Sequence, residues 1–323
     1  MAFIVKDDLR VLGYAAATLG LRAVPRSLRF RWSSRLANAI GALWYRLDRP
    51  GAVLTRHNLQ SVMGDRLSGD EVNEIARRTF QNIVLGKIVN DMLNSLPLED
   101  LSQFLAIEGA EHLDAALAQG RGVVLLGSHF GIHGYASIML LQHLGYPVTA
   151  VIGEEINPKD SWVHRRIAGP IRNRTKEYCS VVDPDGTPQR EMTDALRQNR
   201  VLVIYGDVLD QDLKRLSAPL VVPVPFLGHS LPLKTGPFRL ARWLKAPIVP
   251  FFVVPRPRGR AVLVEPSLKM SDDYSIEGLR ADVAAYVGRF ESYLLRHPAL
   301  WAHWRRQRNS LPELMQLQSE QVS

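Results

Sequence analysis

Short apolar runs alternate with helical patterns through the middle of this chain. Residues 122–127 read Gly-Val-Val-Leu-Leu-Gly. That run is brief, β-branched and without a polar position, which predicts a strand buried on both faces. Runs of the same kind predict strands at 148–152, 201–205 and 248–254, and a shorter one at 261–265. Between them lie helix patterns. One starts at a cap, Ser68 or Asp70, and continues past Phe80 to end near Pro97; Glu108 to Gln119 is a second and 280–296 a third, amphipathic one. Strands alternating with helices predict an α/β fold with a mixed central sheet covered by helices. No internal repeat or low-complexity segment interrupts the pattern.

The N-terminus is patterned differently. Residues 11–21 are apolar but bounded by Arg10 and Arg22, so only eleven residues separate the charges. Roughly 20 are needed to span a bilayer. Asp7 and Asp8 argue against the basic region of a secretory signal. With Arg26, Arg29, Arg31 and Arg35 following, the segment reads as helices lying on a membrane surface, with a buried core helix as the alternative.

Composition adds two constraints. At 323 residues and 46% apolar content the chain is long enough for one sizeable core, and no Ser/Gly-rich linker divides it. A single cysteine, Cys179, excludes an internal disulfide and a cysteine-based zinc site. The net charge of +8 and pI near 9.7 call for an anionic partner. No helix-turn-helix, RNA-recognition or zinc-finger signature is present, so anionic lipid fits better than nucleic acid.

The candidate chemistry sits at Leu125-Leu126-Gly127-Ser128-His129-Phe130-Gly131. His129 falls just past the carboxyl end of the strand at 122–127, where open α/β sheets carry their ligands. A neutral imidazole there suits a general base. A loop histidine that only bonds backbone is the plainer alternative.

This block, with Ile107-Glu108-Gly109-Ala110-Glu111-His112-Leu113 before it, resembles the lead-in and histidine motif of the lipid A biosynthesis lauroyl/myristoyl acyltransferases, within the lysophospholipid acyltransferase-like superfamily. The resemblance continues in order through Pro223-Val224-Pro225-Phe226-Leu227-Gly228-His229, Thr235-Gly236-Pro237-Phe238-Arg239-Leu240-Ala241-Arg242, Ala246-Pro247-Ile248-Val249-Pro250 and His297-Pro298-Ala299-Leu300-Trp301. With the N-terminal pattern above, residues 1–50 read as an N-terminal helical membrane-interface segment, and the resemblance implies 51–323 as the acyltransferase-like α/β domain. It also implies transfer of a fatty acyl group from an acyl-carrier-protein or CoA thioester to a hydroxyl of an anionic glycolipid or phospholipid. No separate cofactor is implied, and the expected location is the cytoplasmic face of a bacterial inner membrane.

One departure stands out. The family places an Asp or Glu after His-x4, and here that position is Gly134 in His129-Phe130-Gly131-Ile132-His133-Gly134. Three readings compete. Asp207 or Asp210, after the strand at 201–205, supplies the carboxylate if the two strands are parallel neighbours; His133 supports or replaces His129; or the chain is a catalytically inactive homologue that binds lipid or carrier. Gly228 and Gly236 fall where the family shapes the acyl-donor side, with ordinary turns as the alternative. Arg190 falls where the family has a basic residue, suited to phosphate, with a salt bridge to Glu191 or Asp194 as the alternative. A metal is not expected, because His129 and His133 lack a third ligand. Ser128 lacks the Gly-x-Ser-x-Gly elbow, so a covalent serine route is not expected either.

Overall fold

The structure is a computed structural model that describes residues 16, 20–21, 23–92, 101–102, 104–131, 135–152, 179–182, 188–207, 220–305 and 311–312. In chain order its helices are α1 (Arg26–Leu47), α2 (Arg49–Met63), α3 (Gly69–Met92), α4 (Ala110–Leu117), α5 (Tyr135–His143), α6 (Pro188–Arg197), α7 (Gly236–Leu244) and α8 (Ile276–Arg296). The strands are β1 (Leu105–Glu108), β2 (Val123–Gly127), β3 (Val148–Val151), β4 (Ser180–Val182), β5 (Val201–Tyr205), β6 (Val221–Phe226), β7 (His229–Lys234), β8 (Ile248–Pro255) and β9 (Arg260–Val264).

A seven-stranded sheet in the order β1-β9-β8-β2-β5-β3-β4 forms the centre, and β6-β7 stand apart as a two-stranded ribbon. All neighbours in the sheet run parallel except β8 and β9, so the expected mixed sheet is present. Alternate residues of each strand serve two cores. Val124, Leu126, Leu202, Phe252 and Val254 face one side, packed with α8 and the ribbon. Val123, Leu125, Val201, Val203, Phe251 and Val253 face the other, packed with α3, α4 and α5. Strands covered on both faces need apolar residues at every position, which is why they read as unbroken runs.

Local signals explain most boundaries. Ser68 and Glu71 form a reciprocal cap at the start of α3: the Ser68 backbone N–H donates to Glu71 Oε2 at 2.8 Å, and the Glu71 N–H donates to Ser68 Oγ at 3.3 Å. The helix expected from Glu108 instead begins at Ala110. Gly109 takes a left-handed φ of +77°, and Glu108 closes a strand paired with β9. A Cβ at Gly109 would lie 2.2 Å from the Val264 carbonyl oxygen, so the glycine sets the break.

The ribbon was not predicted, because Pro223, Pro225 and Pro232 hide a strand signal. Pro223 pairs opposite Pro232, which collects two missing donors at one rung of an isolated ladder.

α1 crosses α3 closely at Gly41, whose added Cβ would lie 2.5 Å from Gln81 Cα. Trp44 packs edge-on to Phe80 at 4.8 Å, and the Arg305 guanidinium lies 4.2 Å from the Trp44 ring centre. Asp48 joins these parts. Its carboxylate accepts from the Gly51 N–H at 3.2 Å, capping α2, and pairs with Arg305. Asp48→Ala should therefore cost about 0.5–2 kcal/mol, the range of a lost N-cap, measured as a lower urea midpoint at unchanged slope. No helix among the described residues is long and apolar enough to cross a membrane.

Candidate active site

Parallel pairing of β2 with β5 places Gly127 opposite Tyr205. Two residues beyond each strand end, the chain carries His129 and Asp207, so the register brings the two side chains together. Nδ1 of His129 lies 2.8 Å from Asp207 Oδ1. The same carboxylate accepts from the His129 backbone N–H at 2.8 Å to Oδ2 and 3.0 Å to Oδ1. The Trp301 indole Nε1–H donates to Oδ2 at 2.9 Å. Asp207 is 3% exposed, and its acceptor capacity is filled by groups that hold it in one orientation.

Burial of Asp207 pushes its carboxyl up. The facing His129 and His303 rings, with the hydrogen bonds from His129 and Trp301, outweigh that and hold it well below the usual carboxylate range. It stays ionised wherever histidine titrates. An anionic acceptor at Nδ1 fixes the His129 tautomer with the proton on Nδ1, so the basic lone pair sits on Nε2. The ring is partly exposed, in tilted contact with Tyr205 at 5.0 Å between centroids.

A third segment completes the site. The Gly131 N–H donates to the Leu300 carbonyl at 2.9 Å, and the Ala302 N–H donates to the His129 carbonyl at 2.9 Å. Phe130 and Trp301 form an antiparallel bridge. These bonds deliver Trp301 to Asp207 and place His303 Nε2 3.3 Å from His129 Nδ1 and 3.6 Å from Asp207 Oδ2. Beneath them the Tyr286 hydroxyl donates to Ser128 Oγ at 3.2 Å, and burial with the nearby Asp207 charge holds that phenol neutral, far above its ordinary range. Ser128 is thus a buried structural partner. His129, Asp207 and His303 offer ligand atoms within 4.8 Å of one another. At 2.8 Å the Nδ1 to Oδ1 gap is that of an ordinary hydrogen bond.

The other expected residues fall elsewhere. His133 and Asp210 lie outside the described residues. Arg190 is exposed on α6, 3.9 Å from Asp194. Gly228, with Leu227, forms the left-handed turn of the ribbon, at φ +86° and +51°. Gly236 opens α7 after Thr235. His303 and the Trp301 contact were not predicted; the sequence placed Trp301 in the His297–Trp301 block without a role and His303 in no motif.

Among relatives, the chain is 29% identical over 195 residues to a phosphatidylinositol mannoside acyltransferase of Mycobacterium tuberculosis, covering 60% of this chain and 57% of that one. It thus spans little more than half of that relative's length. It is 26% identical over 293 residues to the phosphatidylinositol mannoside acyltransferase of Mycolicibacterium smegmatis, covering 90% and 88%. The crystal structure of the 1-acyl-sn-glycerophosphate acyltransferase of Thermotoga maritima aligns with a TM-score of 0.37 at 13% identity, over 80% of this chain and 97% of that one. The model of the bacterial lipid A biosynthesis acyltransferase family matches residues 5–308, and the chain belongs to that family.

Proposed function

We propose that this protein transfers a fatty acyl group from a carrier thioester to a hydroxyl of an anionic glycolipid at a membrane surface, with His129 as general base and Asp207 as its orienting carboxylate. The 2.8 Å contact between His129 Nδ1 and Asp207 carries this reading. Nε2 takes the proton of the acceptor hydroxyl as its oxygen attacks the thioester carbonyl. Asp207 stabilises the imidazolium that forms. The tetrahedral intermediate expels the thiolate, and the Nε2 proton passes to that sulfur. No acyl-enzyme is required. The inactive-homologue alternative rested on Gly134, and Asp207 supplies a carboxylate at the nitrogen where one is needed.

Charge and surface support an anionic lipid acceptor. α1 exposes Leu28, Trp32, Leu43 and Leu47, and Arg26, Arg31, Arg35 and Arg46 lie exposed on the same helix. Apolar and cationic groups mixed on one helix suit an anionic lipid interface. The relatives' names make a mannosylated phosphoinositide the first acceptor to try, ahead of a lipid A intermediate. Donor thioesters of carrier protein or CoA are cytoplasmic, which places the enzyme on the inner face of a bacterial inner membrane.

The test supplies purified protein with acyl-carrier-protein and acyl-CoA thioesters and either acceptor in anionic vesicles, followed by mass spectrometry. One added acyl mass on an acceptor, with matching free thiol, is expected. Intact thioester with every donor and acceptor pair would overturn the reading.

A further inference from the structure

We propose that His303 is a positioning residue of this site, a second imidazole that shares the Asp207 carboxylate with His129 and keeps His129 unprotonated as the medium becomes acidic. This rests on the reading of His129 as base. Two imidazoles and one carboxylate are held in van der Waals contact: the rings of His129 and His303 lie 4.8 Å apart between centroids at 65°. His303 also meets the Trp301 ring edge-on at 5.7 Å, so the indole that donates to Asp207 also fixes the second histidine.

One carboxylate neutralises one imidazolium. A second proton on the adjacent ring meets a like charge in a site where Asp207 is 3% exposed, so the pair takes up protons in two separated steps. Geometry assigns the first proton. In its neutral form His129 already carries a proton on Nδ1, the nitrogen facing Asp207, and a further proton must go to the remote Nε2. His303 turns Nε2 toward the His129–Asp207 pair, 3.3 Å from His129 Nδ1 and 3.6 Å from Asp207 Oδ2. A proton there sits beside the carboxylate. His303 therefore protonates first, and its charge then opposes protonation of His129.

The other groups around the cluster do not take over this part. Tyr205 of β5 and Tyr286 of α8 are phenols, and the Tyr286 hydroxyl is engaged by Ser128. Trp301 carries no charge. Arg305, two residues beyond His303, is paired with Asp48 of the α1–α2 junction. Asp207 and His303 both lie directly against the His129 ring.

The experiment measures the pH profile of kcat/KM in the thioester assay for wild type, His303→Gln and His303→Asn, each profile normalised to its own alkaline plateau. It also measures the NMR titration midpoint of the His129 ring protons in the same proteins. With the competing cation removed, the acid limb and the His129 midpoint should both move up by about one pH unit, close to a tenfold relative loss on that limb. Unmoved or lowered midpoints in folded variants would overturn the proposal, as would an unmoved limb beneath a uniformly lowered plateau, the signature of a purely structural residue. Because the midpoint is read without turnover, it still tests the coupling if His129→Ala leaves transfer intact, a result that sinks the base assignment instead.

Discussion

Asp207→Asn is expected to lower acyl transfer by about 10⁴-fold, the loss seen when the carboxylate of a histidine dyad becomes an amide, with the fold intact. The hydrogen bonds around the residue explain the size. Asp207 offers acceptors on both oxygens, one to His129 Nδ1 and one to Trp301 Nε1. An amide keeps a single acceptor. The indole N–H cannot reverse its polarity, so the amide oxygen must face Trp301 and the NH₂ must face His129. Nδ1 then becomes an acceptor, the ring proton moves to Nε2, and the nitrogen that should take the substrate proton already holds one. His129→Ala and the double variant should fall to nearly the same floor, since groups acting as a unit are not additive. Initial rates of thioester consumption with acceptor present measure all three, and near wild-type turnover in Asp207→Asn would dismiss the dyad.

The His129–Asp207 pair was legible only in part: the sequence offered His129 with Asp207, Asp210 or His133 as alternative partners, and the two residues that meet obey one rule. Each sits two residues past the end of an apolar strand, and parallel neighbours bring such positions to one sheet edge. The family pattern, in contrast, put the acid at Gly134. In the structure the carboxylate that meets His129 Nδ1 is that of Asp207, two residues past the end of the adjacent strand and 78 residues away in sequence. Trp301 and His303 were not legible, since they reach the site through a bridge to Phe130 from the far end of the chain, and no local periodicity encodes such a contact. The β6–β7 ribbon escaped for a different reason: its prolines break the strand signal although the backbone still pairs. At Glu108 the apolar period was overridden by Gly109, whose left-handed backbone ends a strand where a helix was expected to start.

The glycine of His-Phe-Gly should prove as sensitive as the dyad, though for a backbone reason. Gly131 has φ +72°, and a Cβ there would lie 2.1 Å from the Val253 carbonyl oxygen. Val253 belongs to β8, which is held between β2 and β9, so the obstructing atom cannot retreat. Gly228 is the internal control, with φ +86° and open space around its missing Cβ. Alanine at Gly228 should cost only the left-handed strain, about 1–2 kcal/mol. Alanine at Gly131 adds overpacking of a further 1–3 kcal/mol or so, giving a clearly lower urea midpoint than the control. Activity should fall with it at Gly131 alone. The residue must move away from β8, and its N–H bond to Leu300 carries the segment that holds Trp301 against Asp207. Equal midpoints for the two variants would show that β8 yields to the new methyl group, and equal transfer rates would show that the segment at 300–303 is not held in place by Gly131.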